Sequence, residues 1–302
     1  MRTPPRNRAP YRAAIDRPPL RLPNGARLAL HVVVNVEEWL IDGRMPRTAL
    51  PAPAGAEGIP DVANYAWYEY GNRVGIWRLM AVLARHGVRA TLSINGNVCK
   101  TYPRIVAAAV AAGWEMMGHG FVQRPMSVVD DERAVIRATL DLLERTTGTL
   151  PRGWLGPGLV ETSETLDHLA AEGIEYCCDW GPADDLPYEL DVPGHRMLAV
   201  PYPVDMNDIV ISAIEEHRSD ELYTRGVAQF DALYLESAEN ATIMAIALHP
   251  YLTGVPHRIG ALERLLAYIM GHAGVIAMRG GEILDWYRQQ TAQRQSVLPG
   301  TG

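Results

Sequence analysis

The sequence predicts an α/β protein in which one barrel-like domain is built on a parallel sheet. Apolar, β-branched runs of strand length recur along the chain, and each is followed by a segment with helical spacing; that alternation is the mark of βα units. No second composition break or internal repeat follows Gly25. At 302 residues and 48% hydrophobic content, the chain can bury one large core.

The elements follow in order. Residues 1–25 are rich in proline and arginine and lack apolar periodicity, so they are expected to form an arm lying on the surface or on a neighbouring subunit. "RLALHVVVNV" (Arg27 to Val36) is a near-continuous apolar run, as expected of a strand buried on both faces. Ile41 to Asn64 contains four prolines and several glycines, a long loop leaving the first strand and placed to cover a site. Asn72 to His86 has helical spacing (Ile76, Leu79, Met80, Leu83) closed by Gly87. Then come the strand "VRATLSI", a helix over Pro103 to Ala112, the strand "WEMMGH" and a helix over Val129 to Thr146. "RGWLG", a helix over Glu161 to Glu172, "IEYCCDW" and "MLAVPY" follow. A helix over Glu221 to Ala238, the strand "ATIMAIALH", a helix over Ile259 to His272, the strand "GVIAM" and a helix over Glu282 to Gln290 complete the domain, 26–290, and leave a tail at 291–302.

A net charge of −7 and a pI near 5.7 give no basic footprint for nucleic acid and no polybasic run for anionic lipid. No run of about 18 apolar residues could span a membrane. The N-terminus has arginines but no apolar leader core or cleavage site, so the cytoplasm is the expected compartment. Cys99, Cys177 and Cys178 are too few and too badly spaced for a disulfide framework or zinc knuckle. The partner these features leave is a small molecule or another protein.

Barrel chemistry collects at the C-terminal ends of the strands. The first strand ends in "NVEEW", with Asn35, Glu37 and Glu38; adjacent carboxylates on a regular strand point to opposite sides, and both enter one pocket only if the strand is already breaking. Paired carboxylates can act as proton carriers, and equally can be a solvated pair opening a loop. His119 in "GHGFVQRP" ends the third strand and His249 ends "ATIMAIALH". Two histidines and an acid pair, all at strand C-termini, form a constellation. Trp154, Trp180, Asp205, Asn207, Asp208 and His257 lie in the neighbouring loops as candidate substrate contacts. Arg73 is another, although Glu69 with Arg73 also reads as an (i, i+4) ion pair. A catalytic zinc wants three protein ligands; Glu38 and His119 could supply two, and Gln123, a neutral amide, is a poor third.

The ordered set "NVEEW", "YEYGNRVG", "GHGFVQ", "DDLPY", "VDMND" and "LHPYLTGVPHRIG" resembles the polysaccharide deacetylase (carbohydrate esterase family 4) superfamily from about Ala26 to Trp286. Within it, the chain is most similar to the branch of metal-independent allantoinases and cyclic-imide hydrolases. The resemblance implies a distorted (β/α) barrel with about seven parallel strands, a homo-oligomer, and hydrolysis of a non-peptide C–N bond. Carried over by position, Glu37 is the base, Glu38 and His119 are metal ligands, and His249 is the acid. Gln123 stands where the family has a second histidine, and glutamates stand where it has aspartates, which favours no cofactor over zinc. Pro157 stands where allantoinase-like members carry an arginine, which puts allantoin in doubt as substrate; His257 or Arg258 would have to supply a charge from another loop.

Three readings follow. The leading one is a metal-independent hydrolase of a small linear or cyclic amide, imide or ureide, with a carboxylate activating water and histidine as acid. The second is a metal-dependent N-deacetylase of acetylated sugars or peptidoglycan-type substrates. The third is an inactive small-molecule binder on the same barrel.

Overall fold

The computed structural model describes residues 4–55 and 58–297. Nine strands form one curled sheet: β1 (Leu28–Val36), β2 (Thr91–Ile94), β3 (Glu115–Gly118), β4 (Gly153–Trp154), β5 (Tyr176–Cys177), β6 (Tyr188–Val192), β7 (His195–Ala199), β8 (Thr242–Leu248) and β9 (Val275–Ala277). Their order is β6-β7-β5-β4-β3-β2-β1-β8, with β9 also on β1. Every pairing is parallel except the β6–β7 hairpin. β1 is the keystone: β8 runs along one edge, while the other edge is shared by β9 at Leu28–Leu30 and β2 at Val33–Val36. Past β7 the chain returns to β8 through a single parallel bridge, Asn207 to Ala247. This is the distorted (β/α) barrel the sequence predicts.

The helices are α1 (Val62–Tyr70), α2 (Ile76–Arg85), α3 (Val98–Thr101), α4 (Pro103–Ala111), α5 (Glu132–Thr147), α6 (Thr165–Ala171), α7 (Glu221–Glu236), α8 (Pro256–Met270) and α9 (Gly280–Val297). Besides the short α3, which was not expected, three elements differ from expectation. α1 lies within and beyond the end of the predicted loop and joins α2 through a π-helical turn at Gly71–Gly75. Gly71 and Gly75 make that junction possible, since a Cβ at Gly75 would stand 2.0 Å from the Pro250 carbonyl oxygen. β6 occupies a stretch to which the sequence assigns no strand, and α9 continues through the first residues of the predicted tail. The rest of that tail, 298–302, lies outside the described residues. Cys177 and Cys178 are buried in and just after β5, as expected of small apolar side chains, and all three cysteines are free.

The arm is tied down. Arg8 is buried and donates to both carboxylate oxygens of Asp167, Arg17 pairs with Asp184, and Leu20 and Leu22 enter the core.

Period-2 alternation divides β1 into two rows. Leu28, Leu30, Val32, Val34 and Val36 pack outward under the helices, whereas Ala29 and Val33 fill the barrel interior. His31 lies in the interior row, held between the Pro201 carbonyl (3.1 Å) and Thr91 Oγ1 (3.1 Å); burial lowers its pKa to about 4. β3 and β8 divide in the same way: Met117, Ile243 and Ala247 face in, and Met116, Met244, Ile246 and Leu248 face out.

Candidate active site

Continuing the inward rows to the first residue past each strand end gives the site. Val33, Asn35 and Glu37 continue β1, Met117 and His119 continue β3, and Ala247 and His249 continue β8. Glu37, His119 and His249 are all buried. They surround a cavity of about 430 Å3, within the range of small-molecule sites. Its walls are largely apolar: Leu155, Pro157 and Leu159 on one side, and Pro203, Val204, Ile209 and Ile214 on another.

Glu37 is the hub. Its Oε1 accepts a hydrogen bond from Gln123 Nε2 at 2.8 Å and lies 3.7 Å from His119 Nε2 and 3.5 Å from His249 Nε2. Oε2 accepts from Trp39 Nε1 at 3.2 Å. Burial alone would raise this carboxyl; the contacts with His119 and His249 outweigh it and bring the pKa down to about 2. His249 shifts the opposite way. Burial disfavours its charge, but Asp208 accepts from Nδ1 at 2.7 Å, and Asp208 together with Glu37 raises the imidazolium to about 10. Asp208 is itself fixed by the His249 amide (2.8 Å) and Thr253 Oγ1 (2.6 Å).

His119 donates from Nδ1 to the Leu155 carbonyl at 2.5 Å. A carbonyl only accepts, so Nδ1 carries a proton, and Nε2, which has no hydrogen-bond partner, faces Glu37 Oε1. The flanking glycines serve packing and turning. Gly118 leaves room for the Trp154 ring, whose Cε3 would stand 2.7 Å from an added Cβ, and Gly120 turns the chain at φ 71°.

Glu38 faces away. Its Oε1 accepts from Asn97 Nδ2 (2.9 Å) and Thr101 Oγ1 (2.8 Å) beside α3, and it does not line the cavity. Gln123 is equally committed: Oε1 accepts from Asn95 Nδ2 at 3.1 Å while Nε2 donates to Glu37. The family's ligand positions therefore do not converge as a zinc site. Among the described residues, the His, Cys, Asp and Glu groups whose ligand atoms all lie within 4.8 Å of one another are Glu161, Cys177 and Asp179, outside this cavity.

Asn207 lines the cavity, and Asp208 stands behind His249. Other expected contacts lie elsewhere. Arg73 is exposed and pairs with Glu69 at 3.4 Å, the helical ion pair its spacing allows. Trp154 is fully buried against Gly118, and Trp180 donates to Glu161 Oε2 at 3.0 Å. Asp205 and His257 are exposed and do not reach the cavity. Arg258 donates to the Leu252 carbonyl rather than into the site.

Two lining residues were not anticipated. The Tyr202 hydroxyl accepts from Asn35 Nδ2 (3.2 Å) and Asn207 Nδ2 (3.3 Å), which leaves its own proton to donate. Arg47 enters from the long loop after β1. That loop is clamped by Asn64, whose side chain bonds both the amide and the carbonyl of Leu50 at 3.0 Å, and by Met45 packed among Tyr68, Tyr251 and Leu252.

A parallel barrel that gathers a carboxylate, two imidazoles and a phenol at its strand ends has the equipment of a hydrolase. Comparison with known proteins points the same way. Residues 64–177 match the polysaccharide deacetylase family. A Schizosaccharomyces pombe protein assigned to the polysaccharide deacetylases is 28% identical over 84% of this chain and 88% of its own. Among solved structures, a probable polysaccharide deacetylase from Pseudomonas aeruginosa superposes with a TM-score of 0.80 at 28% identity, covering 91% of this chain and 95% of that one. PuuE allantoinase superposes with a TM-score of 0.81, also at 28% identity, covering 94% and 97%. Over residues 64–177 the chain thus resembles the polysaccharide deacetylases, and over most of its length it is similar to proteins described as polysaccharide deacetylases and to an allantoinase.

Proposed function

We propose that the protein hydrolyses an amide-type C–N bond in a small molecule without a metal ion. The observation that carries this reading is the convergence of His119, His249 and Gln123 on one oxygen of Glu37, in a cavity from which Glu38 is turned away. Each group then has one task. A water between Glu37 Oε1 and His119 Nε2 is oriented by both. His119 Nε2 takes its proton, because a carboxylate held at about 2 is a weak acceptor. Glu37 stabilises the imidazolium that results. The substrate carbonyl oxygen lies toward the Tyr202 hydroxyl and the charged His249, donors that need no reorganisation as the oxyanion forms. His249 then passes its proton to the leaving nitrogen, and Asp208 holds the ring for that transfer.

Similarity to PuuE allantoinase across 94% of the chain supports a cyclic or linear ureide or imide over a polymer, and the cavity volume suits such a molecule. The test is a panel of cyclic imides, hydantoins, ureides and N-acetyl sugars, assayed before and after exhaustive chelation. Turnover of a small amide, imide or ureide that survives chelation is expected. Activity lost to EDTA and restored by zinc overturns the metal-free reading, and release of acetate from N-acetylglucosamine oligomers alone favours an N-deacetylase.

A further inference from the structure

Arg47 has no place in that mechanism, yet it lines the cavity. Its partners are unlike those of comparable side chains. Among the described residues, the other partly or fully buried arginines donate to carboxylates (Arg8, Arg17, Arg152, Arg225, Arg279 and Arg288) or to backbone carbonyls (Arg27, Arg78 and Arg258). Arg47 is half-buried and pairs with no carboxylate among the described residues. It meets instead the Tyr68 hydroxyl, a neutral group, and its charge is felt there and at Tyr251: burial and Glu37 push both hydroxyls up and Arg47 pulls them partly back. A desolvated guanidinium without an anion is costly, and a fork of fixed donors matches a carboxylate.

The cavity is otherwise apolar apart from its catalytic end. The segment carrying Arg47 is anchored rather than loose, by Asn64 on Leu50 and by Met45 in the aromatic cluster. Pro157, also in the lining, offers no charge, and His257 and Arg258 do not reach the cavity.

We propose that the substrate carries a carboxylate and that Arg47 receives it, while the hydrolysed bond lies at Glu37. This rests on the reading of the cavity as the substrate site; Arg47 is the one arginine or lysine among the described lining residues, and a single guanidinium suits a monoanion better than a phosphate dianion.

The test uses matched pairs that differ only in charge: hydantoin-5-acetic acid against its amide, and N-acetyl-β-alanine against its amide. Binding is measured by calorimetry on Glu37→Gln, where turnover does not interfere. The acid of at least one pair is expected to bind about tenfold or more tighter than its amide, in keeping with a charge-assisted bond. Arg47→Met brings the two members of that pair to within about twofold, and Arg47→Lys retains part of the preference, which a merely structural arginine would not produce. Equal affinity within both pairs, a preference that survives Arg47→Met, or failure of both acids to bind overturns the proposal. Tighter binding of the matching phosphonate than of the carboxylate overturns the choice of carboxylate. Kinetics on the unmutated protein separate the two readings: Arg47-dependent binding without turnover sinks the hydrolase and leaves the anion site, and turnover with no preference for the acid does the reverse.

Discussion

Glu37 and Glu38 are neighbours in sequence, equally buried, and placed in opposite surroundings. Glu37 ends the inward row of β1 and meets two imidazoles and an amide; Glu38 falls in the outward row and meets only the neutral donors Asn97 and Thr101. The backbone of Glu38 does different work from its side chain: its amide donates to Asn95 Oδ1 at 2.7 Å and its carbonyl accepts from the Gln123 amide at 2.9 Å, which pins the ends of β1, β2 and β3 together. One strand end thus supplies a reactive carboxylate from one residue and a structural tie from the next. The difference comes from the two-residue period of the strand, not from residue type.

The largest expected effect tests that division directly. Glu37→Gln keeps the volume but removes the charge between His119 and His249, and is expected to lower kcat/KM by about 10^3-fold or more. Glu38→Gln leaves kcat/KM within about tenfold and costs about 1–2 kcal/mol of stability, read as a shift of the urea midpoint. Comparable losses of activity from both variants would return Glu38 to the site.

Next in size is the behaviour of the pair with pH. The acid limb of kcat/KM reports the base: a limb well above 2 is expected, and a limb near 2 would instead assign that role to Glu37. The alkaline limb follows His249, near 10. Asp208→Asn removes the largest cause of that upward shift and moves the alkaline limb down. The sign for stability is opposite for the two groups. His249 gains a partner in the fold, so its contribution is complete below about 6.5 and is lost as pH rises through about 10. The depressed Glu37 contributes above about 4.5 and loses that contribution as pH falls toward 2. Thermal midpoints across these two windows check both directions.

Much of this arrangement was legible in the sequence. The alternation of strands and helices gave the barrel, and the placing of His119 and His249 at strand ends gave the constellation. The choice between Glu37 and Glu38 was legible too, in a signal that the apolar letters of "HVVVNV" hide: the polar residues His31 and Asn35 share the parity of Glu37, and a buried strand admits polar groups only where partners await them. Other features depend on contacts no local pattern encodes. β6 exists because its hairpin partner β7 is already in the sheet. Arg47 reaches the cavity because Asn64 and Met45 fix its loop from a distance, and the Tyr202 hydroxyl is aimed by two asparagines on different segments. Trp154, Trp180 and Arg73 have the residue types of binding groups and make packing or ion-pair contacts instead.

The smallest effect sharpens what Gln123 does between the two glutamates. Its amide touches Glu37 through the side chain and Glu38 through the backbone, so it holds the boundary between the inward and outward rows. Because Asn95 donates to Oε1, the amide is oriented with its N–H toward Glu37, and it supplies one of the donors that keep that carboxylate charged. Gln123→Leu removes this donor while preserving bulk. A hydrogen bond to a charged group carries about 1.5–3 kcal/mol, so kcat/KM is expected to fall about 10- to 100-fold, well short of the loss on removing Glu37 itself. Gln123→Glu places a second negative charge against Glu37 and is expected to raise the pKa of the pair. The check is the acid limb of the pH profile: it stays in place in Gln123→Leu and moves up in Gln123→Glu, where the added negative charge favours the protonated site. An acid limb that shifts equally in both variants would mean that Gln123 acts by packing, with no bearing on the charge of Glu37.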